Sequence, residues 1–168
     1  MFFALALGTG LREHEIVALD VGDVREPGGD VRRRVALRVF KGCRRDPGPQ
    51  EIMLSETLRA KLAAFFGWKR ARGKALAPGA PLLVSCKGGR LSTRQVRHLV
   101  RVLQGRAGIG RPFSAHALRH AACTNLYLRT RDICLTQRFA RHASIVTTSR
   151  YTHTSDEALA QAVDDLPC

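Results

Sequence analysis

The feature that most limits the folds open to this chain is a short interval of alternating hydrophobic and charged residues, set in a sequence that otherwise follows a helical period. Val31, Val35, Leu37 and Val39, interleaved with arginines, read as a half-exposed strand, and Glu51 to Leu54 reads as a second. Between them lies KGCRRDPGPQ, a long hairpin tip of Gly, Pro and positive charge. Leu82 to Ser85 is a third short strand candidate. The alternation is confined to these runs, so the chain reads as a mainly α fold with a small antiparallel sheet inserted early.

The helical segments bracket that interval. The apolar run of residues 2–7 ends in Gly8-Thr9-Gly10, and residues 11–19 suit a second amphipathic helix after Thr9 as cap. Residues 20–30, rich in Gly and Asp, read as loop. Residues 56–66 form an amphipathic helix, followed by a basic loop from Lys69 to Pro81. Ser92 or Thr93 opens a helix through Leu103, with Val96, Leu99, Val100 and Leu103 on one face and Arg94, Arg97 and Arg101 on another. A Gly-rich turn over 104–112 then leads to three helical stretches near 115–128, 132–140 and 144–151, and to a last short segment over 158–163.

With 168 residues the chain has the length of one domain. Lys and Arg number 28 against 14 Asp and Glu, a formal net charge of +14. Such an excess draws a protein to a polyanion whose counterions it displaces. Nucleic acid is the first candidate, with an anionic membrane or a ribosomal surface as alternatives. The apolar start lacks a basic leading region, meets Arg12 and Glu13 at once and falls short of the roughly 20 residues of a membrane span, so it reads as a core helix and no membrane association is expected. Five cysteines without CxxC or zinc-finger spacing point to a reducing compartment and to no structural metal. No cofactor is expected.

Two segments carry chemistry. His116-Ala-Leu-Arg119-His120 lies on an expected helix, and its spacing of three brings His116 and Arg119 to one face, in reach of one phosphate. Taken alone, the box is equally a solvated basic face. The second segment runs from Arg141-His142 through a Ser- and Thr-rich stretch to Tyr151. A lone tyrosine is ordinarily a half-buried aromatic with a hydrogen-bonded hydroxyl. Transfer of a phosphoryl group without a metal needs cationic forks on the nonbridging oxygens, a proton donor for the leaving oxygen and an in-line nucleophile, and this chain has a residue for each task.

With those boxes in view, the sequence resembles the tyrosine recombinase (phage integrase-like) family. Gly10-Leu11-Arg12-Glu13-His14-Glu15 matches the family's first arginine box, Lys41-Gly42 its hairpin lysine, His116 to His120 its His-x-Leu-Arg-His box, and Arg141-His142 through Tyr151 its last box, all in order. The resemblance covers essentially the whole chain and implies the catalytic-domain fold of that family. It implies that Arg12 and Arg119 clamp the scissile phosphate, that Lys41 protonates the departing 5′ oxygen and that His116 assists proton transfer from the tyrosine. His142 would hydrogen-bond the phosphate or position Tyr151, which forms the 3′-phosphotyrosine link. Glu15 and His120 are expected to support these groups from behind. The tip here is longer and richer in proline than the family's usual turn, so Arg44 and Arg45 are candidates for DNA backbone contact beside Lys41. Arg141 stands where the family often has glycine. Arg94, Arg97 and Arg101, with Lys69, Arg70, Arg72 and Lys74, either track DNA phosphates or form a solvated face.

Members of this family usually carry an additional N-terminal helical DNA-binding domain, whereas this chain starts almost at the first arginine box, which suggests a catalytic-domain fragment. The expected partners are double-stranded DNA and further copies of the chain, as a dimer or tetramer on DNA, and the expected location is the cytoplasm, with the nucleoid. Residues 158–168 either pass to a neighbouring copy or pack on their own domain. Two other functions fit the boxes: a type IB topoisomerase, and a catalytically silent DNA-binding derivative.

Overall fold

In a computed structural model, the protein is described for residues 1–40, 50–142 and 145–149. Lys41, Arg44, Arg45 and Tyr151, and with them the third C-terminal helix beyond Ser149 and the last short segment, lie outside the described residues. The chain divides into two compact units, residues 1–122 and a second that starts at Cys123.

The first unit begins with α1 (Phe2–Thr9), which ends at Gly10 in the left-handed conformation (φ 61°), a turn that glycine makes without steric cost. Thr9 reinforces it, its hydroxyl donating to the Leu5 carbonyl (2.6 Å) and accepting from the Leu11 amide (3.3 Å). Helix α2 (Glu13–Ala18) follows, with Arg12 at its cap, and then α3 (Val21–Val24), one turn within a stretch that reads as loop. Asp20 and Asp23 form a capping box there. Two amides of α3 donate outside the helix, Val21 to the Ala80 carbonyl (2.8 Å) and Gly22 to that of Pro78 (2.9 Å). A Cβ at Gly22 would lie 2.9 Å from the Pro78 ring, so the approach requires glycine.

Strands β1 (Arg34–Leu37) and β2 (Gln50–Met53) pair antiparallel, with Val35 opposite Ile52 and Leu37 opposite Gln50. Val35, Leu37 and Ile52 face the core, as the alternation requires. The first strand is shorter than the alternation suggests: Val31 belongs to an isolated bridge with Arg25. The third strand candidate is not a strand either, since residues 81–90 make only single bridges, Asp20 with Pro81 and Val84 with Arg90. A four-residue run with no partner of strand length has nothing to extend a ladder against.

Helix α4 (Glu56–Ala71) starts at Ser55, whose hydroxyl accepts from the Leu58 amide (3.3 Å). It buries Leu58, Leu62, Phe66 and Lys69 and so runs a turn beyond the expected Phe66. The added turn is held by Lys69, fully buried, whose ammonium donates to the carbonyls of Pro81 (2.8 Å) and Leu82 (3.1 Å). Burial lowers the pKa of this ammonium. Helix α5 (Thr93–Arg106) has a full capping box, with Gln95 N–H to Ser92 Oγ at 3.2 Å and Ser92 N–H to Gln95 Oε1 at 2.9 Å. Its buried stripe is Val96, Val100 and Gln104, while Leu99 and Leu103 stay partly exposed.

Helix α6 (Ala115–Thr130) starts in the first unit and continues into the second. In the second unit, α7 (Ile133–Ala140) is capped by Asp132, whose carboxylate accepts from the Leu135 amide (2.8 Å), and ends at Arg141 with φ 52°. A 3₁₀ turn, Ile145–Thr147, follows. Cys123 and Ala140 form the small core of this unit, with Tyr127 and Phe139 packed against it. The core of the first unit gathers α1, α2, the sheet, α4 and α5 around Leu5, Ile16, Val35, Leu62 and Val96, all fully buried.

Candidate active site

The first unit joins two chain segments more than a hundred residues apart. On the part of α6 in the first unit the buried positions are Ala115, Leu118, Arg119 and Ala122, the i, i+3, i+4, i+7 stripe of a helix facing a core. Arg119 therefore sits on the buried stripe, 1% exposed, with Nη1 donating to the Gly10 carbonyl. A buried guanidinium is tolerated only where its donors are taken up, and the left-handed turn at Gly10 aims a carbonyl at it.

Two residues beyond Gly10, Arg12 caps α2. Its amide donates to Glu15 Oε2 (2.7 Å) and its guanidinium to Glu15 Oε1 (3.0 Å). Glu15 is 1% exposed, whereas the Arg12 side chain keeps 19% of its surface in water. One buried carboxylate thus fixes both the backbone and the head group of an arginine that stays reachable from solvent.

His116 occupies the first turn of α6, off the buried stripe and open to solvent, with its ring edge-on to His120 at 4.6 Å between centroids. Partial burial of the ring lowers its pKa below the ordinary 6.5; the charges of His120, Arg119 and Arg12 add to this, and Glu13 opposes it. His116, Arg119 and Arg12 therefore share one electrostatic environment, in which a neutral imidazole can accept a proton at neutral pH. His116 also lines a cleft of about 670 Å³ together with Glu13, His14, Arg97, Arg101 and Phe113.

Several supports were not legible from spacing. Gln104, buried on α5, brackets Phe113, two residues ahead of α6: its Nε2 donates to the Phe113 carbonyl (2.5 Å) and its Oε1 accepts from the Phe113 amide (3.3 Å). That fixes the backbone from which His116 departs. Asp20 ties the end of α2 to two arginines, Arg90 and Arg38, and Arg90 also donates to the carbonyls of Val17 (2.9 Å) and Leu19 (3.2 Å). Burial alone would push the Asp20 carboxyl up, but the forks of Arg90 and Arg38 outweigh it and hold it below the usual range. Arg97 is committed to Glu13, with Nε at 2.9 Å from Oε1 and 3.2 Å from Oε2. Arg94 and Arg101 are exposed on α5.

In the second unit His142 is fixed by its own loop. Its amide donates to the Gln137 carbonyl (3.2 Å), its carbonyl accepts from Gln137 Nε2 (3.1 Å), and its Nδ1 lies 3.1 Å from the hydroxyl of buried Thr148. The Thr-rich stretch supplies that partner. The left-handed C-cap at Arg141 is a backbone position suited to glycine, which is a physical reason for the residue the family often has there. Among the described residues no cluster of His, Cys, Asp or Glu has the makings of a metal site, and no helix is long and apolar enough to cross a membrane.

A model of the phage integrase family matches residues 1–158. The chain belongs to that family. Among phage integrase-type relatives, the tyrosine recombinase XerC of Vibrio parahaemolyticus is 33% identical over 161 residues, covering 95% of this chain and 48% of that protein. XerC of a Methylobacterium species is 34% identical over 161 residues, covering 96% and 47%. The XerA recombinase structure superposes with a TM-score of 0.72 at 26% identity, covering 98% of this chain and 57% of that one. XerH bound to its difH substrate in a pre-cleavage complex gives 0.74 at 25% identity, covering 98% and 45%. The chain spans about half the length of the curated relatives it matches. The mainly helical fold with a small antiparallel sheet is that of the integrase-family catalytic domain.

Proposed function

We propose that this chain is the catalytic part of a site-specific DNA recombinase that cleaves and rejoins strands through a 3′-phosphotyrosine. The observation that carries the reading is the joining of Arg12 and Arg119: the buried guanidinium of Arg119 meets Gly10, and the buried carboxylate of Glu15 pins Arg12 two residues on. Two fixed guanidinium groups beside a histidine of lowered pKa suit the nonbridging oxygens of a phosphodiester.

In this mechanism the Tyr151 oxygen attacks phosphorus in line, its proton passing to His116, while the bond from phosphorus to the 5′ oxygen breaks and Lys41 protonates that oxygen. Arg12 and Arg119 hold the nonbridging oxygens, with a hydrogen bond from His142. Attack by a 5′ hydroxyl on the phosphotyrosine reverses the step and completes exchange. The charge stabilisation comes from Arg12, Arg119 and Lys41, so no divalent metal is needed. His120 supports His116, and Arg44, Arg45, Arg94 and Arg101 contribute DNA backbone contacts. The partners are duplex DNA and further copies of the chain, a dimer or tetramer on DNA, and the protein works at the nucleoid in the cytoplasm.

Incubation with suicide duplexes in the presence of a chelator, followed by denaturing electrophoresis, tests this. A covalent adduct formed by the wild type and lost in Tyr151→Phe is the expected result. Binding without an adduct would favour a silent DNA-binding protein, and plasmid relaxation without exchange between sites would favour a topoisomerase.

A further inference from the structure

Arg97 lies 84 residues from Glu13 in sequence, yet its guanidinium forks the Glu13 carboxylate with Nε and Nη2. Glu13 directly follows Arg12, and it lines the same cleft as His116. A carboxylate next to Arg12 in sequence and on the cleft that His116 lines would repel a phosphate held by those two residues. We infer that Arg97 is a positioning residue of the phosphate site: by forking Glu13 it neutralises and turns aside a carboxylate that would otherwise compete with the DNA phosphate for Arg12 and His116. The inference rests on the proposed phosphodiester chemistry for its consequence, and on the fork itself for its electrostatics.

Direct contact of Arg97 with DNA is the competing role. The two differ in what Glu13 does once Arg97 is gone. If Arg97 acts through Glu13, removing the carboxylate as well repairs the defect; if it grips DNA, the double variant stays as weak as the single one. The pair is exposed on the arginine side, 63% for Arg97 against 18% for Glu13, so the Arg97 variants are expected to fold, which circular dichroism of each variant checks.

His116 is a built-in reporter, since its imidazole senses Arg12 and Glu13 at the start of α2 and Arg119 and His120 on α6, with Arg97 and Arg101 of α5 across the cleft. In the whole chain without DNA, NMR titration of His116 is compared for the wild type, Arg97→Ala, Arg97→Gln, and Arg97→Ala combined with Glu13→Gln. Unmasking Glu13 moves the His116 midpoint upward by about half a pH unit in both single variants, and the double variant returns to or below the wild-type value. On a suicide duplex, Arg97→Ala slows adduct formation on the order of tenfold, and the added Glu13→Gln restores it to within about threefold. An unchanged His116 midpoint in Arg97→Ala, or a double variant as slow as Arg97→Ala, overturns the inference. A wild type that forms no adduct overturns the recombinase reading, while the titration still decides the role of Arg97.

Discussion

At Glu15 one buried carboxylate serves a single arginine twice, through its amide and its guanidinium. Glu15→Ala removes a cap and a charge-assisted bond together, and chemical denaturation is expected to show a loss of about 1 to 3 kcal/mol, with slower cleavage because Arg12 is no longer fixed. In the proposed cleavage, His116 is the group expected to set the pH dependence. Its folded pKa lies below its unfolded value, so the imidazole is neutral in both states at neutral pH; as pH falls the unfolded chain takes up the proton first, and stability declines through that window. The rate of adduct formation should therefore hold steady down to pH 6.5 and fall below it, and His116→Asn should remove that acid limb along with most of the rate. An acid limb above 6.5 would contradict the lowered pKa. At this scale the arginine and histidine boxes are legible because their neighbours in sequence are their neighbours on a helix turn. The burial of Arg119, the fork from Arg97 to Glu13 and the bracket of Gln104 on Phe113 are not, because each depends on how separate helices pack.

Period and caps explain most of the elements. The amphipathic period of residues 56–66 and a capping Ser92 or Thr93 mark α4 and α5 as helices from sequence alone. The reading fails where a charged residue occupies a core position: Lys69 reads as solvated loop, but it extends the stripe of α4 because two carbonyls of residues 81–82 take up its ammonium. Lys69→Met keeps the stem and loses the donor, leaving those carbonyls short of a partner, and thermal or denaturant unfolding should show a cost of about 1 to 3 kcal/mol. Stability equal to or above that of the wild type would mean that burying the ammonium costs more than its bonds return. The failed strand at residues 82–85 has the same kind of cause, since a strand needs a partner that a local pattern does not reveal.

For the whole molecule the dominant fact is the charge of +14, legible at once and silent about which face carries it. If binding neutralises about six phosphates, affinity for a short duplex should fall roughly a thousandfold between 50 and 200 mM salt, which filter binding or anisotropy measures. A flat salt dependence would place the charge away from DNA. Whether a tyrosine oxygen takes the 3′ phosphate is decided by digesting the covalent adduct and mapping the nucleotide-bearing peptide. A 3′-linked nucleotide on the peptide containing Tyr151 is the expected result; a 5′ link, or an adduct on any other residue, would refute that assignment.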